Sequence, residues 1–531
     1  MQQNAKQAAQ SLPPRFNAYR LGDLCAHATY ANDSDDRPDL VVRAAFTGQP
    51  VATIPQCVPA DVAEALRRAR RAQPAWAGTT VAARARVLKQ LHDDVLEDAE
   101  VAMDLVQLEA GKARADAFLE VADVAVVARY YGYHGEAALA RREPPGFLPL
   151  LTRIEVNRIP VGTVGIVSPW NYPLTLAISD ALPALLAGNA VVLKPAEATP
   201  LTALWLASKL ERAGLPAGLF QVVVGDGPTL GPALVEGVDY LHFTGSTEVG
   251  RKLAAAAGER LIGASFELGG KNPMVVLDDA DLDAAAAGAV SACFASAGQL
   301  CVSAERLYVP RATMADFLAR LREVVEGLAI GPAFDWSTDI GSLAGPEQLA
   351  KVSSHVEEAV AAGAIAICGG RALPDLGPFF YAPTVLIDVT PDMAVYSEET
   401  FGPVVSVYPY DSDDEAVALA NDGEYGLNAS VWTSDAARGR RIARRLRFGT
   451  VGVNDPYTAA WGSTAAPMGG FGQSGVGRRH GAEGILKYTE AQTIATQRLL
   501  PLAPVAGMTA EAFAGVTLKV LRLLKRLPGL R

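Results

Sequence analysis

The pattern that most constrains this chain is a series of short, largely apolar segments between residues 163 and 244, separated by helical ones. Val164-Gly-Ile-Val-Ser168, Ala190-Val-Val-Leu-Lys194, Phe220-Gln-Val-Val-Val224 and Tyr240-Leu-His-Phe-Thr244 read as strands. Leu174 to Ala187 reads as a helix, and another follows Pro200. Strands that are apolar throughout, rather than on alternate residues, are covered on both faces, which predicts parallel βαβ units and an α/β fold. Ligands of such sheets lie in the crevice at the carboxyl ends of the strands. After residue 301 the style repeats, with helices expected at 312–328 and 346–362 and apolar segments at 404–408 and 429–432.

Around this centre the spacing predicts two amphipathic helices, residues 60–75 and a longer one over 81–111, where Val87, Leu88, Leu91 and Val95 recur on one face. Leu151 to Pro160 alternates as a strand with one polar face, and Gln492 to Arg498 is a second strand-like segment fit to be its neighbour at a subunit interface. Residues 1–38 read as a poorly structured arm, and Met1 to Pro14 lacks the apolar core of a signal peptide. At the other end, Lys519, Arg522, Lys525 and Arg526 stand among leucines, a helix suited either to docking on its own protein or to an anionic membrane surface.

A length of 531 residues implies more than one domain, and a net charge of −11 argues against a general nucleic-acid binder. Five cysteines without a C-x-x-C pair are no disulfide framework, and six histidines never fall into H-x-x-x-H spacing, so no metal is expected. A reducing cytoplasm fits such cysteine usage. No run of 18 apolar residues occurs, so no integral membrane segment is expected.

One cysteine stands out. Phe294-Ala-Ser-Ala-Gly-Gln-Leu-Cys301 follows an alanine-rich helix, Leu282 to Ala297, with Asp281 as N-cap, and Gly298 breaks the helix three residues before the thiol. A Cys on a short loop at a helix end is presented as a nucleophile, or is one more small buried hydrophobe. Other segments end strands. Ser168-Pro-Trp-Asn171 offers an amide donor or a rigid turn, and Lys194-Pro-Ala-Glu197 a cation and carboxylate suited to a ribose or to solvent. Phe243-Thr-Gly-Ser-Thr-Glu-Val-Gly250 opens a helix whose free N–H groups suit phosphate. Phe266-Glu-Leu-Gly-Gly-Lys-Asn-Pro273 sets Glu267 before a glycine pair, as a base or as part of a turn.

In this order, with Glu398-Glu-Thr-Phe-Gly-Pro403, Tyr425-Gly-Leu-Asn-Ala-Ser430 and the Pro467-Met-Gly-Gly segment, these stretches resemble the NAD(P)-dependent aldehyde dehydrogenase superfamily over residues 45–500. Gly475-Val-Gly-Arg-Arg-His-Gly481 and Lys487-Tyr-Thr-Glu490 resemble its actinobacterial succinate-semialdehyde dehydrogenase subgroup. The resemblance implies a Rossmann-type parallel-sheet cofactor domain (39–150 and 164–285), an α/β catalytic domain (286–484) and oligomerisation strands (151–163 and 485–501), and the basic amphipathic tail (502–531) lies beyond it. It implies a homodimer or homotetramer and an aldehyde substrate.

It also assigns roles. Cys301 resembles the nucleophile, Asn171 with the Cys301 N–H an oxyanion hole, and Glu267 the base that hydrolyses a thioester. Acyl transfer to coenzyme A would need no such base. Ser168, Trp170, Lys194, Glu197, Gly245, Ser246, Gly250, Leu268, Glu399 and Phe401 resemble contacts to NAD or NADP, and Glu197, which would repel a 2′-phosphate, favours NAD. Arginines that would bind a substrate carboxylate are expected where this chain has Ser179 and Ala295, so neutral aliphatic or aromatic aldehydes are a rival substrate class.

Overall fold

The computed structural model describes residue 16 and residues 18–32, 36–146, 151–498 and 502–526. The stretch read as an irregular arm holds a helix, Ala18–Cys25. Leu21 of this helix is buried, and the helix rests on the helix Pro200–Arg212. Residues 1–15, 17 and 33–35 of that arm lie outside the described residues. An antiparallel hairpin of β1 (Asp39–Arg43) and β2 (Pro50–Pro55) follows. The expected helix over 81–111 is two, Val81–Glu97 and Ala99–Ala110, broken at Asp98, whose carboxylate pairs with Lys209 of a neighbouring helix.

A helix that the spacing did not reveal, Arg114–Leu139, packs against Val81–Glu97. Its buried face carries Arg114, Asp116, Glu120 and Asp123 beside Val121 and Val124, so buried charges interrupt the apolar stripe that would mark it.

The first sheet has the order β18-β8-β7-β4-β5-β6, with β18 (Gly475–Val476) at its edge. Its parallel strands are β4 (Thr163–Val167), β5 (Ala190–Lys194), β6 (Phe220–Val222), β7 (Tyr240–Thr244) and β8 (Gly263–Glu267). From β4 the chain proceeds outward to β5 and β6, then returns to the other side for β7 and β8. The switch point therefore lies between β4 and β7, where a crevice opens at the carboxyl ends.

The second sheet has the order β11-β12-β13-β10-β9-β15-β16. It comprises β9 (Asn272–Val276), β10 (Ala304–Pro310), β11 (Ile365–Cys368), β12 (Thr384–Ile387), β13 (Val404–Tyr410), β15 (Asn428–Trp432) and β16 (Thr450–Val453). Only β11 runs antiparallel to its neighbour. The chain thus leaves the first sheet between Glu267 and Asn272, earlier than the boundary expected after residue 285. It returns late, when β18 (Gly475–Val476) pairs with β8, while β14 (Tyr425–Gly426) and β17 (Phe471–Gly472) form a small bridge.

The two outlying strands meet as expected. β3 (Thr152–Pro160) and β19 (Thr489–Gln497) pair antiparallel, residue against residue, from Thr152 opposite Gln497 to Pro160 opposite Thr489. The C-terminal helix Ala510–Leu524 has no buried residue, so the reading that it docks on its own chain does not hold. Its apolar Val516, Leu518, Val520 and Leu523 are exposed. Among the described residues no helix is long and apolar enough to cross a membrane.

Candidate functional site

The carboxyl ends of the first sheet face the loops that enter the second. Asn171 follows β4, Gly245 and Ser246 follow β7, and Glu267 closes β8. From the other side, Cys301 precedes β10 and Phe401 precedes β13. Two clefts meet at this junction. One is lined by Trp170, Gly245, Ser246, Glu267, Glu399 and Phe401 among others. The second is walled by Leu119, Leu176, Leu300, Val302, Trp461 and Met468, with Asp123, Arg479 and His480 also on its surface. Asn171, Leu176 and Cys301 belong to both.

The loop carrying Cys301 is held in an unusual shape. The helix Leu282–Phe294 ends three residues before the expected Ala297, and Ser296 and Ala297 take left-handed φ of 52° and 54°. Such conformations cost on the order of 1 kcal/mol or more each unless the surroundings enforce them. Here they do. The Ser296 N–H donates to Asp116 Oδ2 at 2.9 Å, and Ser296 Oγ shares a 2.9 Å hydrogen bond with the Tyr172 hydroxyl. Gln299 donates through Nε2 to Ser296 O and Ser342 O and accepts the Ala344 N–H. The missed helix 114–139 therefore supplies an anchor of the site through Asp116.

Gly298 completes the turn at φ 71°, and a Cβ there would stand 2.0 Å from Gly402 O. Gly298→Ala should therefore lower stability by about 2–4 kcal/mol and cut turnover, read as Tm and kcat. An unchanged Tm would mean that the turn is not fixed in this way.

Asn171 is buried and gives one amide N–H to Gln299 O at 2.9 Å, leaving its second N–H for the cleft. The Cys301 carbonyl accepts Asn272 Nδ2 at 2.7 Å, and Asn272 Oδ1 in turn receives the Asn428 N–H. Burial pushes the Cys301 thiol up to about 12, with the Glu267 and Glu399 carboxyls adding to the rise and Arg479 opposing it. Burial also raises Glu267 to about 8 against the pull of Arg479, and its Oε2 has no hydrogen-bond partner among the described residues. Glu399, raised to about 7 by burial, accepts the Gly270 N–H at 2.8 Å. A free buried oxygen, a free amide hydrogen and a thiol thus converge on one junction.

Trp170 and Phe401 meet edge to face at 5.6 Å. Phe401, at φ 56°, is fixed by its N–H to Glu305 Oε1 and its carbonyl to Gln348 Nε2. Ser246 caps the helix Thr247–Glu259 at the mouth. Leu268 lines the cleft, and Gly250 lies directly beneath it. Ser168, Lys194 and Glu197 line neither cleft: Ser168 directly follows β4, Lys194 closes β5 and Glu197 stands just beyond it. The Ser168 N–H donates to Lys194 O, and Glu197 Oε1 receives Lys194 Nζ at 2.7 Å and the Gly227 N–H at 2.6 Å. Ser179 donates to Asp123 Oδ2 at 2.9 Å, and Ala295 ends the helix before the turn.

Sequence reasoning passed over Asp116, Arg479 and Asn272. Asn272 was legible as the second residue after the glycine pair, whereas Asp116 and Arg479 carry no local signal.

Comparisons agree with this geometry. Residues 31–494 match the Aldehyde dehydrogenase family. The chain is 51% identical over 512 residues to a Mycobacterium tuberculosis protein provisionally named succinate-semialdehyde dehydrogenase (NADP+) 2, covering 96% of this chain and 98% of that one. The solved succinate-semialdehyde dehydrogenase of Burkholderia pseudomallei superposes with a TM-score of 0.85 at 35% identity, over 90% of this chain and 99% of that one. The betaine aldehyde dehydrogenase of Staphylococcus aureus in complex with NAD+ gives a TM-score of 0.85 at 31% identity, over 90% and 96%. With a match spanning most of its length and a likeness in both sequence and fold, this chain belongs to the aldehyde dehydrogenase family and is an aldehyde dehydrogenase.

Proposed function

We propose that the protein oxidises an aldehyde to its carboxylic acid at Cys301, with succinate semialdehyde as the substrate. The observation that carries this reading is the meeting of two clefts at Cys301 and Asn171, one largely apolar and one lined by six of the ten residues expected to contact a nicotinamide dinucleotide: Trp170, Gly245, Ser246, Leu268, Glu399 and Phe401. In it, the Cys301 sulfur adds to the carbonyl carbon, and the oxygen takes its negative charge between the free Asn171 amide hydrogen and the Cys301 N–H. Glu267 then draws a proton from water as that water attacks the thioester and frees the acid.

The residues fit a dinucleotide. A cradle between Trp170, Gly245, Ser246 and Phe401 opens beside the thiol, and Glu197 uses only Oε1 on Lys194 and Gly227, which leaves Oε2 for ribose hydroxyls. The bound cofactor supplies the hydride acceptor, and its cationic ring favours the thiolate. The test is NADH or NADPH release with succinate semialdehyde, hexanal and benzaldehyde. The absence of arginine at Ser179 and Ala295 and the apolar wall keep neutral aldehydes as the second reading, and a preference for hexanal or benzaldehyde would select it.

Glu197 also supports NAD over NADP. A 2′-phosphate placed on a carboxylate already fixed by two donors meets like-charge repulsion. Glu197→Ser should raise the ratio of kcat/KM for NADP over NAD by about tenfold or more. A ratio that does not move would place the discriminating contact elsewhere.

A further inference from the structure

Four arginines are buried among the described residues: Arg84, Arg114, Arg306 and Arg479. Three are spent on hydrogen bonds within the fold. Arg84 donates to Leu186 O and Thr79 O. Arg114 donates to Gln107 Oε1 and Glu100 Oε2, and Arg306 to the carbonyls of Lys271, Ala420 and Asp422. Arg479 differs. Its Nε stands 2.6 Å from Asp180 Oδ2 in an ion pair not aligned as a hydrogen bond, and its Nη2 is buried without a hydrogen-bond partner among the described residues.

Nor does Asp180 neutralise it alone. The same carboxylate holds Lys487 Nζ at 2.9 Å on Oδ1, where the Tyr488 hydroxyl also donates, and His242 Nε2 stands 3.1 Å from Oδ2. One carboxylate therefore faces two basic side chains, Arg479 and Lys487. Asp123 and Glu267, the other acids near Arg479, are shifted toward their neutral forms by burial, and Asp123 is already bonded by Ser179. A buried guanidinium with an open donor and an excess of positive charge is costly unless a ligand completes it.

Arg479 borders the apolar cleft that ends at Cys301. We propose that Arg479 receives the far carboxylate of a short aldehyde acid, taking over in this chain the task of the arginines absent at Ser179 and Ala295. This rests on the reading of that cleft as the aldehyde pocket. With Ser179 small and turned to Asp123, no long side chain at that position screens the guanidinium from the cleft. The substrate's methylenes then lie along Leu176 and Leu300, and its carboxylate meets planar donors suited to paired hydrogen bonds.

The test compares succinate semialdehyde with butanal, which has the same four-carbon length but ends in a methyl group. The wild-type protein should show a KM for succinate semialdehyde at least about tenfold below that for butanal. Arg479→Gln should raise the KM for succinate semialdehyde about 30-fold or more while that for butanal moves less than about threefold. A merely structural Arg479, or one acting only through the field at Cys301 and Glu267, would shift both aldehydes together and leave the ratio of their KM values unchanged, and that unchanged ratio overturns the proposal. Arg479→Lys keeps the ion pair with Asp180 but loses the planar fork, so it should show a smaller split in the same direction. If the Gln variant fails to fold, the wild-type comparison and the Lys variant decide, and equal KM values for the two aldehydes in the wild type refute the assignment. Oxidation of both aldehydes that survives loss of the Cys301 thiol would instead refute the reading of the pocket itself.

Discussion

Cys301→Ala is expected to lower aldehyde-dependent NAD(P)H formation by about 10⁴-fold or more while leaving the fold intact. The size of the effect follows from what the thiol alone supplies. Asn171 and the Cys301 N–H can only stabilise an oxyanion that has formed, and without sulfur nothing in either cleft is placed to form it. Stability should change little, because the loop of Cys301 is held by other groups: Asp116 on Ser296, Gln299 on Ser342 and Asn272 on the Cys301 carbonyl. The measurement is initial rate with succinate semialdehyde beside circular dichroism and Tm. Retained oxidation in a folded Cys301→Ala protein would remove the covalent route.

Thiol labelling sharpens the same test. A Cys301 thiol pushed up to about 12 is almost wholly protonated at neutral pH, so iodoacetamide should react slowly with the cofactor-free enzyme and faster as pH rises. Adding oxidised cofactor should speed labelling at fixed pH, since a cationic ring beside the sulfur offsets the Glu267 and Glu399 carboxyls. Labelling as fast without cofactor as with it would mean that the field at the thiol is set by the protein alone.

How much of this was legible in the sequence differs by element. The parallel strands could be read because they are largely apolar without alternation and bounded by glycine and proline; Ala190–Lys194 and Tyr240–Thr244 come out residue for residue. The ends of those strands then pointed to Asn171, Gly245, Ser246 and Glu267, because a doubly covered sheet leaves few other places for a crevice. The β3–β19 ribbon was legible from alternation alone. Three features were not. The helix 114–139 carries charges on its buried face, where a periodicity reading expects leucine. The left-handed turn at Ser296 and Ala297 is imposed by Asp116 and Tyr172, each more than a hundred residues away, so the local sequence continued the helix. Arg479 reads as one of two arginines in a glycine-rich loop, and only the fold shows that Arg478 donates to the carbonyls of Gly470 and Gly477 while Arg479 turns inward to Asp180.

Glu267→Gln should separate the two halves of the reaction and reveal the cost of holding the base ready. With the thioester formed but no group to take a proton from water, the variant should release one equivalent of NAD(P)H per site in a burst and then turn over about 10³-fold more slowly than wild type. In the wild type the hydrolytic step should quicken as pH rises toward about 8, where the Glu267 carboxyl gives up its proton. Stability should move the opposite way. In the folded protein this carboxyl stays protonated until about 8, whereas in the unfolded chain it ionises near its ordinary value of 4.5. A raised folded pKa means that the proton favours the fold, so this contribution is whole below about pH 4.5 and lost as pH climbs toward 8. Glutamine does not titrate. The Tm of Glu267→Gln relative to wild type should therefore climb between pH 5 and 8, by the equivalent of a few kcal/mol, and level off above 8. A difference that stays flat across that range would show that Glu267 is ionised in the fold, and the pH dependence of hydrolysis would then belong to another group. Both effects come from one unpartnered carboxyl oxygen at the end of β8, which makes the strand end less stable and gives the site its base.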